Sequence, residues 1–192
     1  MKPIFCTPIV FLLIAARPSV RAANLLPEGS MEIPSNLGLA EGFRYPDPNW
    51  LKGFGAAVTV ENENGNRFIR VNMPQPEQFI ACSFEIPVPE GATLLRITWR
   101  MRATIRQGPT KEEPGGSGVC LIASWYAAPR GPGERGYQFG GMQSVHESTS
   151  GWVKKETILP VPDGKKFISF QFGTKSIAAT ADFDDIVIEK HS

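Results

Sequence analysis

Histidine, the side chain best suited to proton transfer near neutral pH, occurs only twice in these 192 residues. His191 is the penultimate residue. His146 lies in Gln143-Ser144-Val145-His146-Glu147-Ser148, a polar stretch without the glycines of a nucleophile elbow. Hydrolysis by paired carboxylates needs two acids about 5–9.5 Å apart across a cleft. Glu112-Glu113 are adjacent in a loop-forming run, and Asp184-Asp185 are adjacent near the C-terminus. No glycine-rich turn leads into a helix that could cradle a phosphate; Cys6 lies in the apolar N-terminal run, and Cys82 and Cys120 without clustered histidine do not make a zinc site. The groups that remain recognise rather than react. Trp50, Trp125, Tyr126 and Tyr137 offer flat apolar rings with polar edges. Gln78 and Gln143 offer amides, and Arg96, Arg100 and Arg102 put three like charges on one strand face.

The elements that must carry these side chains are strands. From Leu95 to Ala103, Leu95, Ile97, Trp99, Met101 and Ala103 alternate with Arg96, Thr98, Arg100 and Arg102, a period of two with one apolar face. Gln78 to Ile86 repeats the pattern with Ile80, Cys82, Phe84 and Ile86 inward, and Phe167 to Gly173 does so with Ile168, Phe170 and Phe172. Ile69, Val71 and Met73 follow an Asn64-Gly65 pair, a strong hairpin signal. No segment keeps helical spacing for three turns, so the chain is expected to be all-β, a sandwich or barrel. Two loops rich in glycine and proline, 107–118 and 127–141, flank a strand from Val119 to Tyr126 and are natural carriers of a recognition surface. Two extended Pro-Val-Pro segments, at 87–89 and 160–162, each end in a Gly turn before a strand.

Residues 1–22 read as a secretory signal peptide: Lys2, an apolar run from Ile4 to Ala16, and Val20-Arg21-Ala22 at the exit. The apolar run is too short to span a bilayer, and Arg17 and Pro18 end it. Residues 23–192 then form one β-sandwich domain. Losing Lys2, Arg17 and Arg21 leaves 17 basic against 19 acidic side chains, a formal charge of −2, which argues against nucleic acid as a partner. The expected location is extracellular or periplasmic, without stable membrane insertion. In such a compartment Cys82 and Cys120 can pair as a disulfide, or stay as two buried free thiols.

Two stretches carry a resemblance. Asn24-Leu25-Leu26-Pro27-Glu28-Gly29-Ser30-Met31-Glu32 is similar to the opening of the CenC-type carbohydrate-binding modules, and Ala181-Asp182-Phe183-Asp184-Asp185-Ile186-Val187-Ile188-Glu189 resembles their closing strand. The likeness extends over about residues 24–190. Met31 stands where an aromatic is usual and Glu28 where Asn or Asp is common, and the insertion at 127–141 is not a family constant. The resemblance implies a jelly-roll β-sandwich of the galactose-binding-like type, built from two antiparallel sheets. It also implies one structural calcium where the N-terminal segment meets the last strand, with Glu32 and Asp184 on the ligand-bearing motifs. Counting by twos puts Asp184 on the face of Ile186 and Ile188, where a carboxylate needs a partner. Asp185 substitutes if a bulge shifts the register.

For such a module the partner is a polysaccharide or oligosaccharide. Apolar faces of pyranose rings stack on Trp or Tyr, and hydroxyls bind Gln, Asn, Glu or Arg at the edges. Trp50, in a loop, and Tyr137, in the long insertion, are candidate platforms, with Gln78 as a polar contact. Trp125 and Tyr126 point to opposite faces of one strand. If Cys120 turns inward to Cys82, Trp125 faces outward; in the other register Trp125 is core and Tyr126 faces outward. The arginine stripe, Arg100 included, is either a solvated face paired with Glu85 and Glu156 or a concave face for an acidic polysaccharide. The alternatives to a sugar-binding module are a structural or protein-interaction sandwich with no sugar site, or an accessory to glycoside hydrolysis.

Overall fold

The computed structural model describes residues 24–26, 29–32, 43–76, 79–110, 116–129 and 137–191. Residues 1–22, expected to be a leader, and Gln78 lie outside these residues. Among the described residues nine strands follow one short helix: α1 (Pro48–Lys52), β1 (Ala57–Glu63), β2 (Asn66–Met73), β3 (Phe79–Pro87), β4 (Leu94–Gln107), β5 (Gly118–Tyr126), β6 (Gln138–Val145), β7 (Val153–Pro160), β8 (Phe167–Lys175) and β9 (Ala178–His191). They form two antiparallel sheets, ordered β1-β2-β9-β4-β7 and β3-β8-β5-β6. The two face each other as a jelly-roll sandwich. Every strand expected from alternation is present, and Asn64-Gly65 closes the β1–β2 hairpin with φ of 56° and 87°.

The inner faces interdigitate. Ile69, Val71 and Met73 of β2, the Leu95–Ala103 set of β4 and Ala181 and Phe183 of β9 meet Ile80, Cys82, Phe84, Phe170, Phe172 and Leu121 from the other sheet. A helix was not expected; α1 exists because Asp47 caps it, its side chain accepting from the Asn49 N–H at 2.7 Å, and Pro48 sits at its first position. The first half of β6, 138–141, lies inside what reads as loop, because Gly140-Gly141 interrupts its alternation.

Two points left to the structure are decided. Of the two alternatives for Cys82 and Cys120, the buried free thiols are found and the disulfide is not. Cys82 pairs in register with Phe172, and Cys120 with Gly173 on the other side of the same strand, β8. Since Phe172 and Gly173 are consecutive, one thiol points into the core and the other to the outer face. Two strand spacings also put them roughly 10 Å apart, beyond the reach of a disulfide. Burial pushes both thiols above the usual range.

The second point, a correction, concerns β9. Its pairing with β4 shifts between Thr98 and Arg100, where Asp185 adopts φ 47°. This bulge reverses the parity. Phe183 is core before it and Ile186 and Ile188 are core after it, so Asp184 lies on the outer face opposite Arg100 instead of among the isoleucines. Beyond the bulge β9 leaves β2, and the N-terminal segment takes the vacated place. Leu25 N–H donates to the Ile188 carbonyl at 2.8 Å and Ile186 N–H to the Gly29 carbonyl at 2.8 Å. The Asn24 side chain both accepts from Ile188 N–H at 2.9 Å and donates to the Ile186 carbonyl at 3.1 Å. Gly29 is required here, since a Cβ would collide with the Ile186 carbonyl.

Candidate functional site

The outer face of the four-stranded sheet is built from the residues that alternate with core positions. Phe43 packs edge-on to Phe84 and Phe172, with ring centroids 5.4 and 5.7 Å away, so the next residue, Arg44, turns outward. Arg44 and Ser83 exchange both backbone hydrogen bonds, at 2.7 and 3.0 Å, which adds one more rung to β3. The row then continues in register across the sheet: Arg44, Ser83, Gln171, Ile122, Met142. Four strand spacings give this row a length of about 19 Å. A parallel row runs Glu85, Ser169, Ser124, Phe139.

Two depressions lie along this face. One, of about 240 Å³, is lined by Arg44, Tyr45, Pro46, Trp50, Phe79, Ala81, Ser83 and Gln171. The other, of about 360 Å³, is lined by Phe79, Ile122, Ser124, Tyr126, Tyr137, Phe139, Gln171 and Lys175. They share Phe79 and Gln171, so they form one trough. Its two ends carry the most exposed large aromatics among the described residues: Trp50, 45 % exposed, at one, and Tyr137 and Phe139, each 58 % exposed, at the other. α1 presents Trp50, with Phe54 edge-on to it at 5.3 Å. Tyr126 is buried but lines the far end, its ring 6.3 Å from that of Tyr137. No carboxylate is among the described residues lining either depression.

The trough therefore gathers Trp50, Tyr126 and Tyr137 from the expected set. Trp125 is not there: it is 1 % exposed and packed in the core. Its outward position required Cys120 to face inward, and the register of β5 on β8 is the opposite one. Its indole rests over Gly140, where any Cβ would crowd the ring nitrogen at 2.5 Å. Sequence reasoning missed Phe139, Arg44, Ser83, Ser124 and Gln171. Ser83 and Gln171 had a signal, as the polar partners of apolar positions on β3 and β8. Arg44 had none, because its strand is a single bridge.

Arg100 is also elsewhere, on the outer face of the five-stranded sheet. Its guanidinium binds Asp185 at 2.9 Å and lies 5.0 Å over the Trp152 ring. Arg96 is held by Glu156 at 2.7 Å and Glu189 at 3.3 Å, and Arg102 by Glu63 at 2.7 Å and Asp182 at 2.6 Å. Asp182 also takes Arg70, at 2.7 and 2.9 Å. The stripe is thus charge-compensated, with Arg100 over Trp152 and Arg102 over Phe68 and Trp152, and faces away from the trough. The Arg96–Glu156 bond holds the Glu156 carboxyl below its ordinary range.

The candidate metal residues converge on the β1–β2 turn. Asp184, 0 % exposed, accepts from Asn66 Nδ2 at 3.0 Å and from Asp185 N–H at 2.7 Å. Glu32 accepts from the next residue, Arg67, at its backbone N–H at 3.3 Å. Burial drives the Asp184 carboxyl above the usual carboxylate range, against these hydrogen bonds and Arg100 at 4.0 Å. Asp185 turns outward to Arg100 and does not join them. Asp184, Glu32 and the Asn66 amide, whose oxygen and nitrogen exchange by a flip, fit the oxygen-rich start of a calcium site. Among the described residues no three His, Cys, Asp or Glu side chains gather at one point, so backbone carbonyls and water would have to complete the coordination.

No protein-family model matches the chain, and no curated protein does. Solved structures do. A CBM4 module is similar with a TM-score of 0.57 at 13 % identity, covering 85 % of this chain and 98 % of that one. The CBM22-1 xylan-binding domain of Paenibacillus barcinonensis Xyn10C is similar with a TM-score of 0.55 at 14 % identity, covering 89 % and 97 %. TmCBM61, solved in complex with β-1,4-galactotriose, is similar with a TM-score of 0.52 at 15 % identity, covering 88 % and 100 %. The fold is the jelly roll of carbohydrate-binding modules.

Proposed function

We propose that this chain binds a glycan in the trough on the outer face of the four-stranded sheet, and acts as a recognition module without catalysis of its own. The observation that carries this reading is the pairing of exposed aromatics at the two ends with a floor between them that sets Ser83, Gln171 and Ser124 among Phe79, Ala81 and Ile122. Trp50 and Tyr137 stack on apolar sugar faces, while Ser83, Gln171 and Ser124 bind hydroxyls. A trough of about 19 Å, open along its length, suits several consecutive sugar units of a chain. Similar modules named for xylan binding or solved with a galactotriose support the class of ligand. The absence of carboxylates among its described lining residues supports binding over glycoside hydrolysis, which needs two acids across the cleft.

The leader reading makes the protein an exported one, and the mature N-terminus of the secreted form tests this directly. Among the described residues no helix is long and apolar enough to cross a membrane. We include a structural calcium at Glu32 and Asp184 in the proposal; chelator should lower the unfolding temperature, and an unchanged temperature would leave Asn66 and Arg100 as the compensation for Asp184.

The test of function is a glycan array with residues 23–192, repeated with Trp50→Ala and Tyr137→Ala. Binding by the wild type that falls tenfold or more in both variants, with their unfolding temperatures unchanged, supports the reading. A folded wild type that retains no glycan would leave the sandwich as a protein-interaction surface.

A further inference from the structure

The described arginines differ in how their charge is met; Arg106, for one, bonds only the neutral oxygens of Thr180, Asn72 and Met73. Arg70, Arg96, Arg100 and Arg102, on the five-stranded sheet, are each held by an acid at 2.9 Å or less. Arg44 is not. It is exposed, it lines the Trp50 end of the trough, and among the described residues no carboxylate pairs with it. Its position is nevertheless fixed. Two backbone hydrogen bonds pin it to Ser83, and the inward turn of Phe43 sends the Arg44 side chain outward onto the trough floor. Ser83 and Gln171 follow it in the same row, and Trp50 shares its depression.

From this arrangement we propose that the Trp50 end of the trough selects a sugar that bears a carboxylate, a uronate unit, with Arg44 as its counter-charge. The inference rests on the glycan-binding reading and narrows it. A guanidinium offers two parallel N–H groups in the geometry of a carboxylate, which a lysine cannot copy. Ser83 and Gln171 serve the neighbouring hydroxyls, and the Trp50 ring takes the apolar face of the same sugar. Ionic selectivity belongs to this trough, while Arg70, Arg96, Arg100 and Arg102 on the sheet behind it are already met by acids.

The test uses residues 23–192 in affinity electrophoresis against glucuronoxylan, polygalacturonate, alginate and hyaluronan. Each is paired with the same polymer after its carboxyls have been reduced to alcohols. At least one native polymer should bind about tenfold more tightly than its reduced form, as expected for one charge-assisted contact. That preference should vanish in Arg44→Gln, weaken in Arg44→Lys and shrink with added salt. Because the Arg44 backbone makes the bridge, both variants should keep the wild-type unfolding temperature. Equal binding of native and reduced polymers, or a preference that survives Arg44→Gln, overturns the inference. If neutral glycans still bind through Trp50 in that case, the module reading stands without it. Retention of no glycan at all removes both.

Discussion

Asp182→Asn is the sharpest probe of how the five-stranded sheet is held. Asp182 is buried at the centre of β9, directly between Arg70 on β2 and Arg102 on β4. It accepts three charge-assisted bonds, from Arg70 at 2.7 and 2.9 Å and from Arg102 at 2.6 Å. Breaking a fully buried ion pair costs about 3–5 kcal/mol. The two arginines are 33 % and 27 % exposed, and Arg102 keeps Glu63 at 2.7 Å, so water and Glu63 recover part of that. We expect a loss of about 2–4 kcal/mol. For a domain of this size each kcal/mol moves the midpoint about 2–4 °C, giving a fall of about 4–16 °C. Thermal and denaturant unfolding followed by circular dichroism measure it. A cycle with Arg70→Met should return a coupling of about 1–3 kcal/mol. A variant within about 0.5 kcal/mol of wild type, or an additive cycle, would mean the pair is as inert as an ordinary surface bridge.

Three further outcomes follow from the same packing. Trp125→Ala should cost about 3–5 kcal/mol as a core cavity, whereas Trp50→Ala should leave the unfolding midpoint nearly unchanged; equal stabilities would put Trp125 at the surface. Asp184 has its carboxyl raised by burial, so the folded state holds that proton more tightly than the unfolded state does. Its favourable contribution is complete below the unfolded carboxyl range and is lost as pH rises through the folded value. In chelator, wild type should therefore gain stability over Asp184→Asn as pH drops from 7 toward 4, and a flat difference would refute the assignment. Reductant should leave the unfolding midpoint where it is, since Cys82 and Cys120 are free; a clear drop would reveal a disulfide.

Much of the scaffold was legible because alternation is a local signal. β3, β4 and β8 each show a clean period of two, and the Asn64-Gly65 turn announces its own hairpin. What escaped depends on pairing between distant segments. The arginine stripe looks unpaired along β4, since its acids arrive from β1, β7 and the far end of the chain on β9. β5 is apolar on both sides, so nothing local decides whether Trp125 or Tyr126 faces the core; the β8 register does. Parity on β9 fails at Asp185, where one bulged residue exchanges the faces on either side of it. The trough was half visible: Trp50 and Tyr137 stood out by type, but the polar groups of its floor, Ser83, Gln171 and Ser124, come together only through the sheet order.

The N-terminal segment that replaces β2 beside the end of β9 has a mechanical consequence. Leu25 bonds Ile188 and Gly29 bonds Ile186, so the segment runs antiparallel to the strand, with Asn24 and His191 leaving from the same edge. Tension applied between those two residues would open the bonds in succession, as a zipper, instead of loading all of them at once in shear. Tethered at Asn24 and His191, this sandwich should yield first at the clasp, and at low force.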